Sequence, residues 1–161
     1  MFELMYEAKG VGLAANQVDL PFRLFVANLD GVPDEGEEMV FINPVISRPK
    51  GLDEAEEGCL SLPSLYGQVR RPKQVRVEAY TLDGDTFNEE ISGIFSRVLQ
   101  HETDHLDGVL FTDRLSATGK LEVQPRLEEF EVEFNSRRHV GEFSSDEDIA
   151  ARLAEFETRY C

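Results

Sequence analysis

The chain has 161 residues, enough for one domain with a real hydrophobic core. Hydrophobic residues make up 41% and charged residues 30%, the balance of an ordinary globular protein, and no apolar run approaches the roughly eighteen residues of a membrane span. With 32 acidic against 16 basic residues the net charge is −16, which repels nucleic acid and anionic membrane and argues against direct binding to either. The two cysteines, Cys59 and Cys161, do not make a disulfide framework, and Cys161 is expected to be a loose terminal thiol. Acidic residues at Glu3 and Glu7 stand where a signal peptide would be basic, so a cytoplasmic protein is expected.

The first nine residues read as the end of an amphipathic helix, with Phe2, Met5 and Tyr6 on one face and Gly10 as its stop. Arg23-Leu-Phe-Val-Ala27 has the length of a buried strand, and residues 30–38 are a polar turn or loop. Met39-Val-Phe-Ile42 predicts a second strand closed by Asn43-Pro44, and residues 47–58 a polar, acidic connection. Residues 74–81 alternate cleanly, predicting a half-exposed strand that turns through Asp83-Gly84 into a partner over 86–91. A helix follows over about 92–106: Ser92 and Gly93 mark a break, Ile94, Phe95, Val98 and Leu99 keep helical spacing, and Gly108 supplies the stop. Lys120–Phe134 supports both periods, the helical one being preferred. Over 146–160, Ile149, Leu153, Phe156 and Tyr160 form one stripe behind a capping box at Ser145 and Asp148. The order predicts an α+β fold: mostly antiparallel strands packed around a central helix, with a C-terminal helix.

That central helix carries His101-Glu102-Thr103-Asp104-His105 in a sequence with only three histidines. Two imidazoles four residues apart lie one turn from each other and can share a cation, while the glutamate between them can take a proton from water on that cation. A tetrahedral catalytic site needs a third protein ligand and an open position. His139 lies in a polar stretch beside Arg137 and Arg138 and reads as a surface residue. Cys59, in Glu57-Gly58-Cys59-Leu60-Ser61, is the better candidate, and a thiolate suits Fe(II), Zn(II), Co(II) or Ni(II). Taken alone, such a cysteine is more often a small buried hydrophobe. Gly10-Val-Gly-Leu-Ala-Ala-Asn-Gln17 is no phosphate loop, since no lysine follows. Its small residues would let a substrate backbone lie close, and Gln17 could donate to a developing oxyanion; a tight turn into a core element reads equally well.

Together the three segments resemble the peptide deformylases, which carry Gly-x-Gly-Leu-Ala-Ala-x-Gln, Glu-Gly-Cys-Leu-Ser and Gln-His-Glu-x-Asp-His, here Gly10–Gln17, Glu57–Ser61 and Gln100–His105. The resemblance implies removal of the N-formyl group from the initiator methionine of nascent polypeptides, with release of formate. It implies that Cys59, His101 and His105 bind one divalent metal per chain, Fe(II) being the family's preferred ion and Zn(II), Ni(II) or Co(II) frequent substitutes. Glu102 would then activate the metal-bound water and later protonate the leaving amine, with the oxyanion held by Gln17 and the Leu60 N–H. Val11, Gly12 and Gly58 would pair with the substrate backbone, and Val11, Ile94, the stem of Arg97, and Val98 would line the methionine pocket. Glu57 and Arg71 are expected to form an ion pair holding the cysteine loop, and Asp104 to support the ligands.

On this reading residues 1–161 are a single domain, with a 1–115 core carrying the three motifs and a divergent acidic extension over 116–161. Family members usually begin with several dozen residues before the first motif, whereas nine precede Gly10 here, so a naturally short or truncated N-terminus is expected. From Leu121 to Cys161 there are eleven acidic and five basic residues. The partners expected are therefore N-formylmethionyl nascent peptides and at most transient contact with the ribosome, without the basic docking helix of many bacterial members. The alternatives are another metal-dependent peptidase or amidase, which shares the helix motif alone, and a non-catalytic relative that only binds nascent chains.

Overall fold

Alternation over 74–80 places Val75, Val77 and Ala79 on one face of a strand and Glu78 and Tyr80 on the other, and this strand organises the main sheet. The computed structural model describes residues 1–160; Cys161, the expected loose thiol, lies outside them. The elements run α1 (Phe2–Glu7), β1 (Gly12–Ala14), a 3-10 turn (Ala15–Val18), β2 (Leu24–Ala27), β3 (Met39–Lys50), β4 (Asp53–Cys59) and β5 (Leu62–Arg71). They continue with β6 (Gln74–Tyr80), β7 (Thr86–Ser92), α2 (Gly93–Leu106), a second 3-10 turn (Phe111–Arg114), α3 (Ala117–His139) and α4 (Asp146–Tyr160). All strand pairs are antiparallel, in a five-stranded sheet of order β1-β2-β3-β6-β7 and a separate β4-β5 ribbon.

Helix α2 lies on the main sheet, burying Val98 and Leu99 among Phe25, Phe41, Val75, Val77 and Ile91. The rings of Phe25 and Phe41 stack at 4.9 Å. The β4-β5 ribbon has its own apolar cluster, in which Leu62, Leu65 and Val69 meet Phe111 and Leu115 of the segment before α3 and Val123 of α3 itself. Helix α2 therefore carries the site between two sheets, and charged side chains on it are drawn inside: Arg97, Glu102 and Asp104 are all buried. Burial of so many charges is costly unless each is paired or has chemistry to perform.

The expected helices appear, α2 and α4 within a residue of their predicted limits and α3 extending the segment whose period was ambiguous. Two expectations need correction. The strand from Met39 does not close at Asn43-Pro44 but runs on to Lys50 through a register shift between Ile42 and Val45. Asn43 takes a left-handed φ of 52° there, and Pro44, which has no N–H to offer the ladder, sits in the bulge. Residues 47–58 are likewise no connection: they finish β3 and form most of β4. Their acidic, polar character comes from lying in half-exposed hairpins rather than from lack of structure.

Candidate metal centre and active site

Ser92 N-caps α2 and Gly93 enters it at φ 68°, which sets the helical phase so that His101 and His105 project toward the end of β4. At that end Gly58 allows a close turn: a Cβ there would stand 2.7 Å from the Tyr66 ring. Cys59 follows at a break in the β4-β5 ladder. The result is a cluster in which Cys59 Sγ is 3.2 Å from His105 Nε2, the two Nε2 atoms are 3.1 Å apart, and all three ligand atoms lie within 4.8 Å of one another.

The donor set fits a first-row divalent cation. His101 Nδ1 lies 3.0 Å from Glu57 Oε2 and must carry its proton there, so the neutral ring presents a lone pair at Nε2 to the centre. Bonds of about 2.0 Å in tetrahedral array would place two nitrogens about 3.3 Å apart, close to the separation observed. Three protein donors also leave the open position a catalytic site requires.

Without a cation the cluster holds a proton instead. Burial pushes the Cys59 thiol up, but the imidazoles of His101 and His105 bring it down to about 6. Burial pushes His101 down, but Cys59 and Glu57 beside it raise it to about 9. At pH 8 the metal-free pair is then thiolate and imidazolium. A divalent cation must displace the His101 proton, so calorimetric titration with Zn(II) in buffers of different ionisation enthalpy should report release of about one proton per ion bound.

Glu102 reaches the same space from the intervening position on α2. Its Oε2 is fully buried with no hydrogen-bond partner among the described residues. Burial, with the nearby Cys59 thiolate, raises its carboxyl to about 7 against the pull of His101, His105 and Arg71. A carboxylate desolvated and unsatisfied to this degree is poised to exchange a proton near neutral pH. Gly12 makes its room, since a Cβ there would lie 2.4 Å from Glu102 Oε1. Gly12→Ala is expected to displace the carboxylate and reduce kcat by about 10²-fold, as steady-state kinetics would show.

The 3-10 turn after β1 delivers Gln17. Its Oε1 accepts the Ala14 N–H at 2.8 Å, which fixes the amide so that Nε2 faces Ser61 Oγ at 3.0 Å and Cys59 Sγ at 3.8 Å. Asn16 in the same turn donates to the His105 carbonyl at 2.5 Å, tying the turn to the ligand helix.

Behind the ligands lies a buried ion network. Glu57 Oε1 accepts from Arg71 Nε at 2.7 Å and from Arg97 Nη1 at 2.6 Å, and Glu57 Oε2 from Arg71 Nη2 at 2.9 Å. The expected Glu57–Arg71 pair is thus present. Arg71 Nη1 also donates to Asp104 Oδ2 at 2.7 Å, and Arg114 forks onto both Asp104 oxygens. Burial works against ionisation of Glu57, but His101, Arg71 and Arg97 hold its carboxyl at about 2.

A cleft of about 600 Å³ opens over the cluster. Every expected site residue except His105 lines it: Val11, Gly12, Gln17, Gly58, Cys59, Leu60, Ile94, Arg97, Val98, His101 and Glu102. His105 joins through the ligand triangle. His139, set aside as a ligand, sits at the far end of α3. Sequence reasoning missed the wall formed by Leu62, Leu65 and Tyr66 of β5, the Arg97 bond to Glu57, and Arg114. An arginine at 97 amid helical apolar positions was a signal of a paired charge inside; nothing local marks Arg114.

The chain matches the family model of polypeptide deformylase over residues 1–121. It is 51% identical over 160 residues to a peptide deformylase of Rhodopirellula baltica, covering 99% of this chain and 80% of that one. A peptide deformylase of Rhodopseudomonas palustris is 48% identical over 133 residues, covering 80% of this chain and 75% of the relative. Among solved structures, peptide deformylase 1B of Arabidopsis thaliana in complex with an inhibitor is 40% identical with a TM-score of 0.80, covering 85% of this chain and 76% of that one. The Plasmodium falciparum peptide deformylase superposes equally well, at 39% identity and TM-score 0.80, covering 84% of this chain and 80% of that one.

Proposed function

The chain belongs to the polypeptide deformylase family, metal-dependent hydrolases of N-formyl peptides, and we propose that Cys59, His101 and His105 hold its cation while Glu102, Gln17 and Leu60 carry out the proton and charge transfers. The observation that carries this reading is the orphaned, buried carboxylate of Glu102 beside three converging soft and borderline donors. Cys59, His101 and His105 would hold the cation, Fe(II) by preference, and when bound it would supply Lewis acidity toward the formyl carbonyl and water.

Glu102 takes the proton of the attacking water as its oxygen bonds to the formyl carbon. The negative charge that gathers on the formyl oxygen meets the Gln17 amide, fixed in advance by the Ala14 N–H, and the Leu60 N–H. When the C–N bond breaks, Glu102 passes its proton to the departing amine, so the products are formate and a free methionyl N-terminus. Val11, Gly12 and Gly58 pair with the peptide backbone, and Val11, Ile94, the apolar stem of Arg97, and Val98 enclose the methionine side chain. The head of Arg97 is committed to Glu57, which leaves only its methylenes to the pocket. The acidic stretch beyond Leu121 is unsuited to ribosomal RNA, so any contact with the ribosome in the cytoplasm runs through another surface or through the nascent chain alone.

An anaerobic assay with formyl-Met-Ala-Ser, with Fe(II) or Ni(II) supplied and elemental analysis in parallel, tests the reading. Formate release that stops on chelation is expected. Cleavage of unblocked peptides in its place would point to a different amidase.

A further inference from the structure

Helix α4 has no buried residue, yet its apolar stripe lands on one place of functional consequence. The 3-10 turn that carries Gln17 is only four residues long and ends at Asp19, whose backbone is left-handed at φ 57°. The Asp19 and Leu20 N–H groups both close on the Ala15 carbonyl. Such a turn has poor hydrogen-bond geometry and keeps its shape through outside contacts. At its near end those contacts are the bond from Gln17 to Ser61 and the bond from Asn16 to the His105 carbonyl. Its C-cap and the chain that leaves it are gripped by α4. Arg152 forms an ion pair with the Asp19 carboxylate, and the ring of Phe22 is met edge-on by Phe156 at 6.2 Å and by Tyr160 at 5.9 Å.

We propose that α4 is a positioning element for the oxyanion donor: Arg152, Phe156 and Tyr160 brace the far end of the Gln17 turn and so hold the Gln17 amide in place. The proposal rests on the role given to Gln17 above. It assigns the acidic C-terminal hairpin a part in turnover rather than in core packing. An exposed ion pair and two ring edges contribute little to global stability, but a displacement of about 1 Å at a catalytic group is enough to cost rate.

The test is kinetics of the metal-loaded full chain with formyl-Met-Ala-Ser. In Arg152→Ala/Phe156→Ala/Tyr160→Ala, kcat should fall roughly tenfold, with KM within about twofold of the parent and metal content unchanged. Arg152→Glu, which opposes two carboxylates without removing apolar contact, should move kcat the same way, and Arg152→Lys should restore it. Placed in a Gln17→Ala background, itself reduced by about 10²–10³-fold, the α4 substitutions should have no further effect, because the group they position is gone. Unchanged kcat in the α4 variants, or losses that add to that of Gln17→Ala, would overturn the brace while leaving the Gln17 role standing. Full activity of Gln17→Ala would overturn the role itself.

Discussion

Replacing Glu102 with glutamine is expected to reduce kcat for formyl-Met-Ala-Ser by about 10²–10⁴-fold with metal content unchanged. The amide keeps the size and burial of the carboxyl but can neither accept the water proton nor return it to the amine. The three cation donors come from other positions, so the loss falls on chemistry and not on loading. The same substitution should stabilise the metal-free protein. The folded carboxyl titrates at about 7 and its ordinary value is 4.5. Below about pH 4.5 both states are protonated and nothing is lost; above about pH 7 the folded state carries a buried, unpaired charge. The penalty is of the order of 3 kcal/mol at alkaline pH. Thermal melts of the chelated proteins at pH 8 should therefore place the glutamine variant several degrees above the parent, and the gap should close as pH falls toward 4.5. Equal melting curves at both pH values, or near-parental turnover, would refute the assignment of Glu102 as a desolvated base.

Arg71→Met should be the most damaging change outside the cation site. Arg71 is the one residue, among those described, bonded to both Glu57 and Asp104, and its removal strands two buried carboxylates. Breaking a buried pair from one side typically costs about 3–5 kcal/mol, here a drop of roughly 10 °C in melting temperature. Glu57 also orients His101 through Nδ1, so metal affinity should weaken about 10–100-fold, as competition with a chromogenic chelator would measure. The acid limb should change as well. In the parent, Glu57 is held at about 2, below its ordinary 4.5, so its contribution is complete above about pH 4.5 and disappears as pH falls toward 2. Without Arg71 that contribution shrinks, and acid unfolding of the metal-free variant begins at higher pH. An unshifted acid transition would mean that Arg97 and His101 suffice to hold Glu57.

Helix α2 was legible because its boundaries are local: a break at Ser92-Gly93, a glycine stop at Gly108 and apolar spacing between them. So were the hairpin at Asp83-Gly84 and the stripe of α4. The strand run from Met39 to Lys50 was not, because Asn43-Pro44 ends strands in most settings and is tolerated here only inside a bulge whose partner is Tyr80 to Glu78 on β6. Ribbon β4-β5 escaped notice because its ladder pairs Asp53 with Arg71 and Glu57 with Gly67, and its polar residues carry no periodic signal without that partner.

Residue identity alone names the donor set of the proposed site: a cysteine thiol, two imidazoles one helical turn apart and a carboxylate between them need no coordinates. Tertiary structure alone decided which charges went inside and what they met there. Glu57, Arg71, Arg97 and Asp104 come from three elements, and no spacing in the chain announces that they share one interior, which Arg114 reaches from the exposed side. Their pairing, the orphaning of Glu102 beneath Gly12, and the reach of Arg152 to Asp19 across 133 residues depend on long-range packing. Burial strengthens electrostatics only once solvent is excluded, and solvent exclusion is a property of the assembled fold.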